Sequence, residues 1–184
     1  MNSYVLVILP PRRLWKVINR FREKYAKFTT YIIPPHITIC PPFFIKNKSE
    51  KEIISLLNDS FLQVRPQKAL LNSVDYFEGE NNVVFFKPDR KSSRFIKKLL
   101  TKSIDSLKDE IKNVYKNYNF TPKKIKPHMI IAEKIPHDIL PRIKRELVNT
   151  QIALNFKINS VFLYRRKGNL RQWKELKEIH LGKI

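Results

Sequence analysis

Two short segments of this 184-residue chain are near copies of one another, half a chain length apart: Pro35-His36-Ile37-Thr38-Ile39 and Pro127-His128-Met129-Ile130-Ile131. Self-similarity of this kind marks a duplicated architecture, in which matching parts are built alike. Proline has no amide hydrogen to give to a ladder and biases the residue before it towards extended backbone, so each copy belongs at a strand start or edge. Each histidine is therefore expected at the mouth of a strand. Side chains alternate along a strand, which puts His36, Thr38 and Cys40 on one face and Ile37 and Ile39 on the other; the same parity groups His128, Ile130 and Ala132 against Met129 and Ile131. With helices covering the isoleucine faces, the two histidines can meet across a groove between two half-domains, as a general acid and base pair.

The remaining pattern alternates strands with helices. Tyr4 to Leu9 reads as a buried strand stopped by Pro10-Pro11, and the spacing of Leu14, Val17, Ile18, Phe21, Tyr25 and Phe28 predicts a helix from Arg12. After Thr30 to Ile33, the strand from His36 to Cys40 is expected to end at Pro41-Pro42. Ser49 with Glu52 forms a capping-box pattern ahead of Ile53, Ile54, Leu56, Leu57 and Phe61. Ala69 to Phe77 and Val83 to Lys87 read as a hairpin turning around Gly79. Ser92 or Ser93 is expected to cap a third helix reaching Ile111, and Asp138 a fourth with Pro141 in its first turn. Two late strands, Lys157 to Arg165 and Leu170 to Ile179, flank the basic turn Arg166-Lys167-Gly168-Asn169. Such an order indicates a two-layer α/β or α+β protein.

Charge narrows the partners. The 37 Lys and Arg outweigh 16 Asp and Glu for a formal charge of +21, which concentrates polyanions around the molecule and makes nucleic acid the first partner to consider. One cysteine rules out a disulfide framework or a cysteine-rich metal centre, and no close His cluster suggests a metal. With 3 glycines and neither a GxGxxG nor a GxxxxGK[ST] run, no phosphate-cradling loop is present, so no cofactor is expected and phosphate must be held by side chains. No apolar stretch approaches the roughly 20 residues that span a bilayer, and residues 1–9 lack a basic leader, so a cytoplasmic protein without membrane contact is expected.

A histidine pair suits phosphodiester cleavage without a metal. Imidazole near pKa 6.5 can take a proton from water or a ribose hydroxyl on one side of phosphorus and, protonated, give one to the leaving oxygen on the other. A hydroxyl two residues along shares the histidine's face and can donate to a non-bridging oxygen.

With these residues in view, the chain resembles the two-histidine phosphoesterase family, which includes the bacterial RNA 2′,5′-ligase-like proteins and cyclic nucleotide phosphodiesterases. The family signature is two copies of His, any residue, Thr or Ser, then an apolar residue. The first is complete as His36-Ile37-Thr38-Ile39; in the second, His128-Met129 is followed by Ile130 where the hydroxyl belongs. The resemblance implies an α+β fold over residues 1–184 as one bilobal domain. Its two pseudo-symmetric lobes each carry an antiparallel sheet flanked by helices around a central cleft. The motif-bearing halves are 1–92 and 93–184, with strand exchange between lobes. It further implies His36 and His128 as acid and base, Thr38 as a phosphate ligand, and no metal or cofactor. The implied substrates are RNA 2′,3′-cyclic phosphates, 2′,5′ linkages or small cyclic nucleotides, handled by a monomer.

Isoleucine cannot donate a hydrogen bond, so Lys126, Tyr164, Arg165 and Arg166 become candidate replacements for the donor lost at Ile130. Tyr115, Tyr118, Phe120 and Trp173, set among Lys123, Lys124, Arg171 and Lys174, are candidates for stacking on bases. The competing expectation is an RNA-binding protein on the same scaffold, with catalysis weakened or lost through Ile130. A third is a structural or ribosome-associated protein whose charge is its contact surface and whose histidines do not converge.

Overall fold

In the computed structural model, residues 1–25, 33–115, 125–168 and 170–182 are described. Phe28, Thr30, Tyr118, Phe120, Lys123, Lys124 and Asn169, named above, lie outside them. The chain runs β1 (Ser3–Ile8), α1 (Arg12–Lys24), β2 (Ile37–Ile45), α2 (Glu50–Leu62), β3 (Gln67–Phe77), β4 (Asn82–Pro88), α3 (Arg90–Leu107), β5 (Ile111–Asn113), β6 (Met129–Ile135), α4 (Leu140–Leu147), β7 (Leu154–Ile158), β8 (Ser160–Arg166) and β9 (Lys174–His180).

Several boundaries differ from those the residues suggest. The β2 strand continues through Pro41-Pro42. Its register on β1 passes from Leu6–Cys40 to Tyr4–Phe43, three residues facing two, and this irregularity excuses the prolines from the ladder. In α1, Val17 is 41% exposed while Arg22 is buried at 6%, so an arginine takes a place in the inward stripe. The capping box of α2 forms as expected. Helix α3 is capped by Asp89, whose carboxylate accepts from the Ser92 amide at 2.7 Å, while the Ser92 hydroxyl accepts from the Leu70 amide at 2.9 Å and ties β3 to the helix. Ile111 leaves that helix and opens β5. Helix α4 has Ile139 at its cap with no side-chain bond, and Asp138 stands outside it. The first late strand breaks at Asn159, so that β7 pairs with β3 while β8 pairs with β1.

The strands form one curled antiparallel sheet in the order β7-β3-β4-β6-β2-β1-β8-β9, with β5 also on β2. Its centre is the meeting of the two histidine strands, which touch through the single pair Ile37–Met129. On one side lie β1, β8 and β9; on the other lie β3 and β4 from the first half of the chain together with β7 from the second. The helices cover one face, over a core that includes Leu6, Ile8, Ile37, Ile39, Met129 and Ile131, and α3 lies behind both β2 and β3. The opposite face is the cleft. This is an α+β fold of two lobes.

Candidate active site

Both histidines precede their strands by one residue, and both rings are held in the same way. The Nδ1–H of His36 donates to the carbonyl of Pro34 at 2.8 Å, and that of His128 donates to the carbonyl of Lys126 at 2.7 Å. A carbonyl only accepts, so each Nδ1 carries its proton and each Nε2 is left with a lone pair. The prolines contribute by starting the strands where they do, which leaves the carbonyl two residues back turned towards the ring.

The two strands are matched beyond the histidines. Thr38 pairs with Val7, and the next pair is Leu6–Cys40, so Ile39 is an extra residue on β2. Ile130 pairs with Phe85, and the next pair is Val84–Ala132, so Ile131 is an extra residue on β6. Each bulge falls three residues after its histidine. Its effect is to turn the fourth residue inward: Cys40 and Ala132, expected to share the histidine faces, are both fully buried in the helix-side core. Burial pushes the Cys40 thiol above its ordinary range. The buried Ser103 hydroxyl on α3 lies 3.2 Å from the Ile39 carbonyl and 2.8 Å from that of Leu100, a donor for the oxygen the bulge displaces. Thr38 stays on the cleft face, and Ile130 occupies in its ladder the place Thr38 holds in the other.

The two imidazoles sit in different surroundings. His36 is half-buried, and its pKa falls to about 4, first through desolvation and further through the Arg22 charge, against the favourable Pro34 bond. His128 is packed against Phe77 and Phe85, with ring centroids at 5.0 and 5.2 Å, and desolvation lowers its pKa as well. Both rings are thus neutral at neutral pH.

The other candidates divide between the faces. On β8, Tyr164 pairs with Val5 and Arg166 with Ser3, which places both on the cleft side. The Tyr164 ring is buried with Val5, Val7 and Trp173, its hydroxyl is 3.4 Å from Glu175, and burial followed by the Glu175 charge raises its pKa to about 12. Trp173 is 8% exposed, with the Arg166 guanidinium 4.9 Å from its ring, so it packs the lobe and leaves little face for a base. Arg165 points the other way. It donates to both oxygens of Glu50 at 2.9 Å, beside the Tyr4 hydroxyl, and with Lys167 and Lys174 it lines a hollow of about 270 Å³ away from the histidines. Lys126 is exposed immediately before the second motif. Tyr115 is 57% exposed at the end of the described segment. His137 and His180 lie elsewhere, near Asn82 and Ser160.

The residues beside the histidines that sequence reasoning missed are Arg22, Phe77 and Phe85. An arginine in an otherwise apolar helix stripe was a visible signal for the first; the others required the pairing of β3, β4 and β6.

Among the described residues, no group of three His, Cys, Asp or Glu side chains is placed to hold a metal ion, and no helix is long and apolar enough to cross a membrane. The family model of the 2′-5′ RNA ligase superfamily matches residues 10–170. The chain belongs to that superfamily. Among relatives of this superfamily member, the protein BH1439 of Halalkalibacterium halodurans is 24% identical over 181 residues, 98% of each chain. The fold is similar to TT0787 of Thermus thermophilus, with a TM-score of 0.67 and 16% identity over 99% of this chain and 100% of that one. It is also similar to LigT of E. coli in its apo form, with a TM-score of 0.64 and 14% identity over 99% of this chain and 98% of LigT. The superfamily is that of the two-histidine phosphoesterases, related to RNA ligases.

Proposed function

We propose that this protein is a phosphodiesterase in which His36 and His128 act together as a general acid and base pair without a metal. Its substrates in this reading are an RNA end carrying a 2′,3′-cyclic phosphate, a 2′,5′ phosphodiester or a small cyclic nucleotide. The observation that carries the reading is the matched pair of imidazoles, each fixed at Nδ1 by the carbonyl two residues back and each leaving Nε2 for the substrate. One Nε2 takes a proton from the attacking water as its oxygen bonds to phosphorus. The other, protonated, gives its proton to the ribose oxygen as the P–O bond breaks. Thr38 donates its hydroxyl to a non-bridging oxygen. Because both imidazole pKa values are lowered, the acid form depends on the substrate: a phosphate anion seated between the rings favours a proton on one of them. Support for a nucleotide substrate comes from the charge of +21 and from the relative LigT, whose structures include complexes with 3′-AMP and with phosphate.

The test is turnover in EDTA of a 2′,3′-cyclic-phosphate RNA, a 2′,5′-linked oligoadenylate and ADP-ribose cyclic phosphate, with His36→Ala and His128→Ala beside the wild type. Activity that persists in chelator and drops by at least about 10³-fold in both variants is expected. A second reading is favoured by Ile130, which leaves the second strand without the donor Thr38 supplies: an RNA-binding protein with little or no turnover. Wild-type inactivity across the panel with retained RNA affinity would select it.

A further inference from the structure

Next to His128, at the strand ends where β4 passes into α3, lies a hollow of about 230 Å³ whose lining includes Asp75, Phe85, Lys87, Ser93, Lys97 and Lys126. Four separate elements supply it. Phe85 and Lys87 are two residues apart on β4, so both face the cleft, and Asp75 stands opposite Phe85 on β3. Lys87 is one residue beyond the Phe86–Met129 pair, so in the ladder it stands level with His128 on a strand about 4.8 Å away. Lys97 and Ser93 come from the first turns of α3, and Lys126 from the segment whose carbonyl holds the His128 ring. The Phe85 ring is a shared wall, lining the hollow while its centroid is 5.2 Å from that of His128.

The charge of this hollow is unbalanced. Three ammonium groups surround it, and among its lining residues the one carboxylate is that of Asp75, which pairs with Lys87 at 2.8 Å. Burial works against the Asp75 charge, but the Lys87 bond, the Tyr76 amide and the charges of Lys87 and Lys126 outweigh it and hold the carboxyl below its usual range. Asp75 therefore fixes the Lys87 ammonium in place and leaves an excess of positive charge for a ligand. Lys97 is half-buried on the helix. A dianionic phosphate would neutralise the excess, accept from the ammonium groups and the Ser93 hydroxyl, and rest on the apolar floor of Phe85 and two prolines.

We infer that this hollow is a subsite for a second phosphate, the one that flanks the reacting phosphodiester on the His128 side. The inference rests on the phosphodiesterase reading and sharpens it: the preferred substrate is a nucleotide that carries a phosphate in addition to the one being cleaved, such as the terminal nucleotide of an RNA. A mononucleoside cyclic phosphate fills only the space between the histidines. Lys87 and Lys97 then set specificity, together with Lys126.

Two arms test this. In the first, kcat/KM is compared for a nucleoside 2′,3′-cyclic phosphate with and without a 5′-phosphate, two substrates that share the reacting group. The wild type is expected to prefer the 5′-phosphorylated one by about 10-fold or more, as one charge-assisted contact set provides. Lys97→Ala and Lys87→Ala should each cut that ratio by about 5-fold, and Lys112→Ala, on β5 and outside the hollow, should leave it unchanged. The second arm needs no turnover: calorimetry compares a nucleoside 3′,5′-bisphosphate with the 3′-monophosphate. Tighter binding of the bisphosphate by about 10-fold, lost in Lys97→Ala, supports the subsite. Equal affinity of the wild type for both ligands, or a preference that survives both lysine variants, overturns it. If neither cyclic phosphate is cleaved, the phosphodiesterase reading for these substrates falls while the calorimetric arm still decides the subsite.

Discussion

In the proposed reaction His36 and His128 carry the protons, and the His36 proton also bears on the stability of this molecule. His36 has a folded pKa of about 4 against 6.5 in an unfolded chain, so between those values the unfolded state binds more protons. Stability contributed by keeping this ring neutral is therefore present above pH 6.5 and lost as pH falls towards 4, with a ceiling of ~3 kcal/mol. A His36→Asn variant should lose less stability than the wild type between pH 6.5 and 4.5, as denaturant melts at each pH would read. In the empty protein the His36 ring should titrate near pH 4 by NMR, and added phosphate should move its midpoint upward. An unchanged midpoint would remove the idea that the substrate recruits its own acid. At the matched position, restoring a hydroxyl with Ile130→Thr should raise kcat at least ~10-fold on whichever substrate turns over, since one such donor is worth about 2.7–4 kcal/mol in a transition state.

At the scale of single elements, the two bulges and the packing of the tail on α2 are the backbone features most exposed to substitution. Ser103 is buried behind the β2 bulge, and Ser103→Ala should cost about 1 kcal/mol by denaturant melt, because the one hydroxyl proton shared between the Leu100 and Ile39 carbonyls is lost. After β9 the chain presses against the end of α2: the Gly182 amide donates to the Phe61 carbonyl at 3.1 Å, and a Cβ on Gly182 would lie 1.7 Å from the Leu62 carbonyl oxygen. Backbone cannot yield as a side-chain tip can, so Gly182→Ala should destabilise by roughly 2 kcal/mol or more, read as a lowered Tm. Prolines 35 and 127 and the period-two alternation made both histidine strands legible, since those are local properties of the backbone. The inward turn of Cys40 and Ala132 was not, because a bulge exists only as a relation between a strand and its neighbour.

For the molecule as a whole, the +21 charge should appear as salt dependence. If a short single-stranded RNA places about three phosphates on lysines, its affinity should fall about 20-fold between 50 and 200 mM salt, following a slope near −0.7 per phosphate. A flat dependence would mean that the charge is not used in binding RNA. The sheet also redistributes the chain: β3 and β4 join β6, so His128 is framed by Phe77 and Phe85 from the half of the sequence that carries His36.

The sequence by itself determined the two strand mouths, the side-chain types that meet there, the missing hydroxyl at Ile130 and the α+β class, because proline, parity and capping act over a few residues. Tertiary structure alone decided which side of β8 faces the cleft, sending Arg165 to Glu50 and leaving Arg166 beside Trp173. It also decided that the chain changes partners at Asn159, and that Asp75, Lys87, Lys97 and Lys126 share one hollow. Register and burial relate segments far apart in the chain; they lower the histidine pKa values and gather the lysines, and no local pattern encodes them.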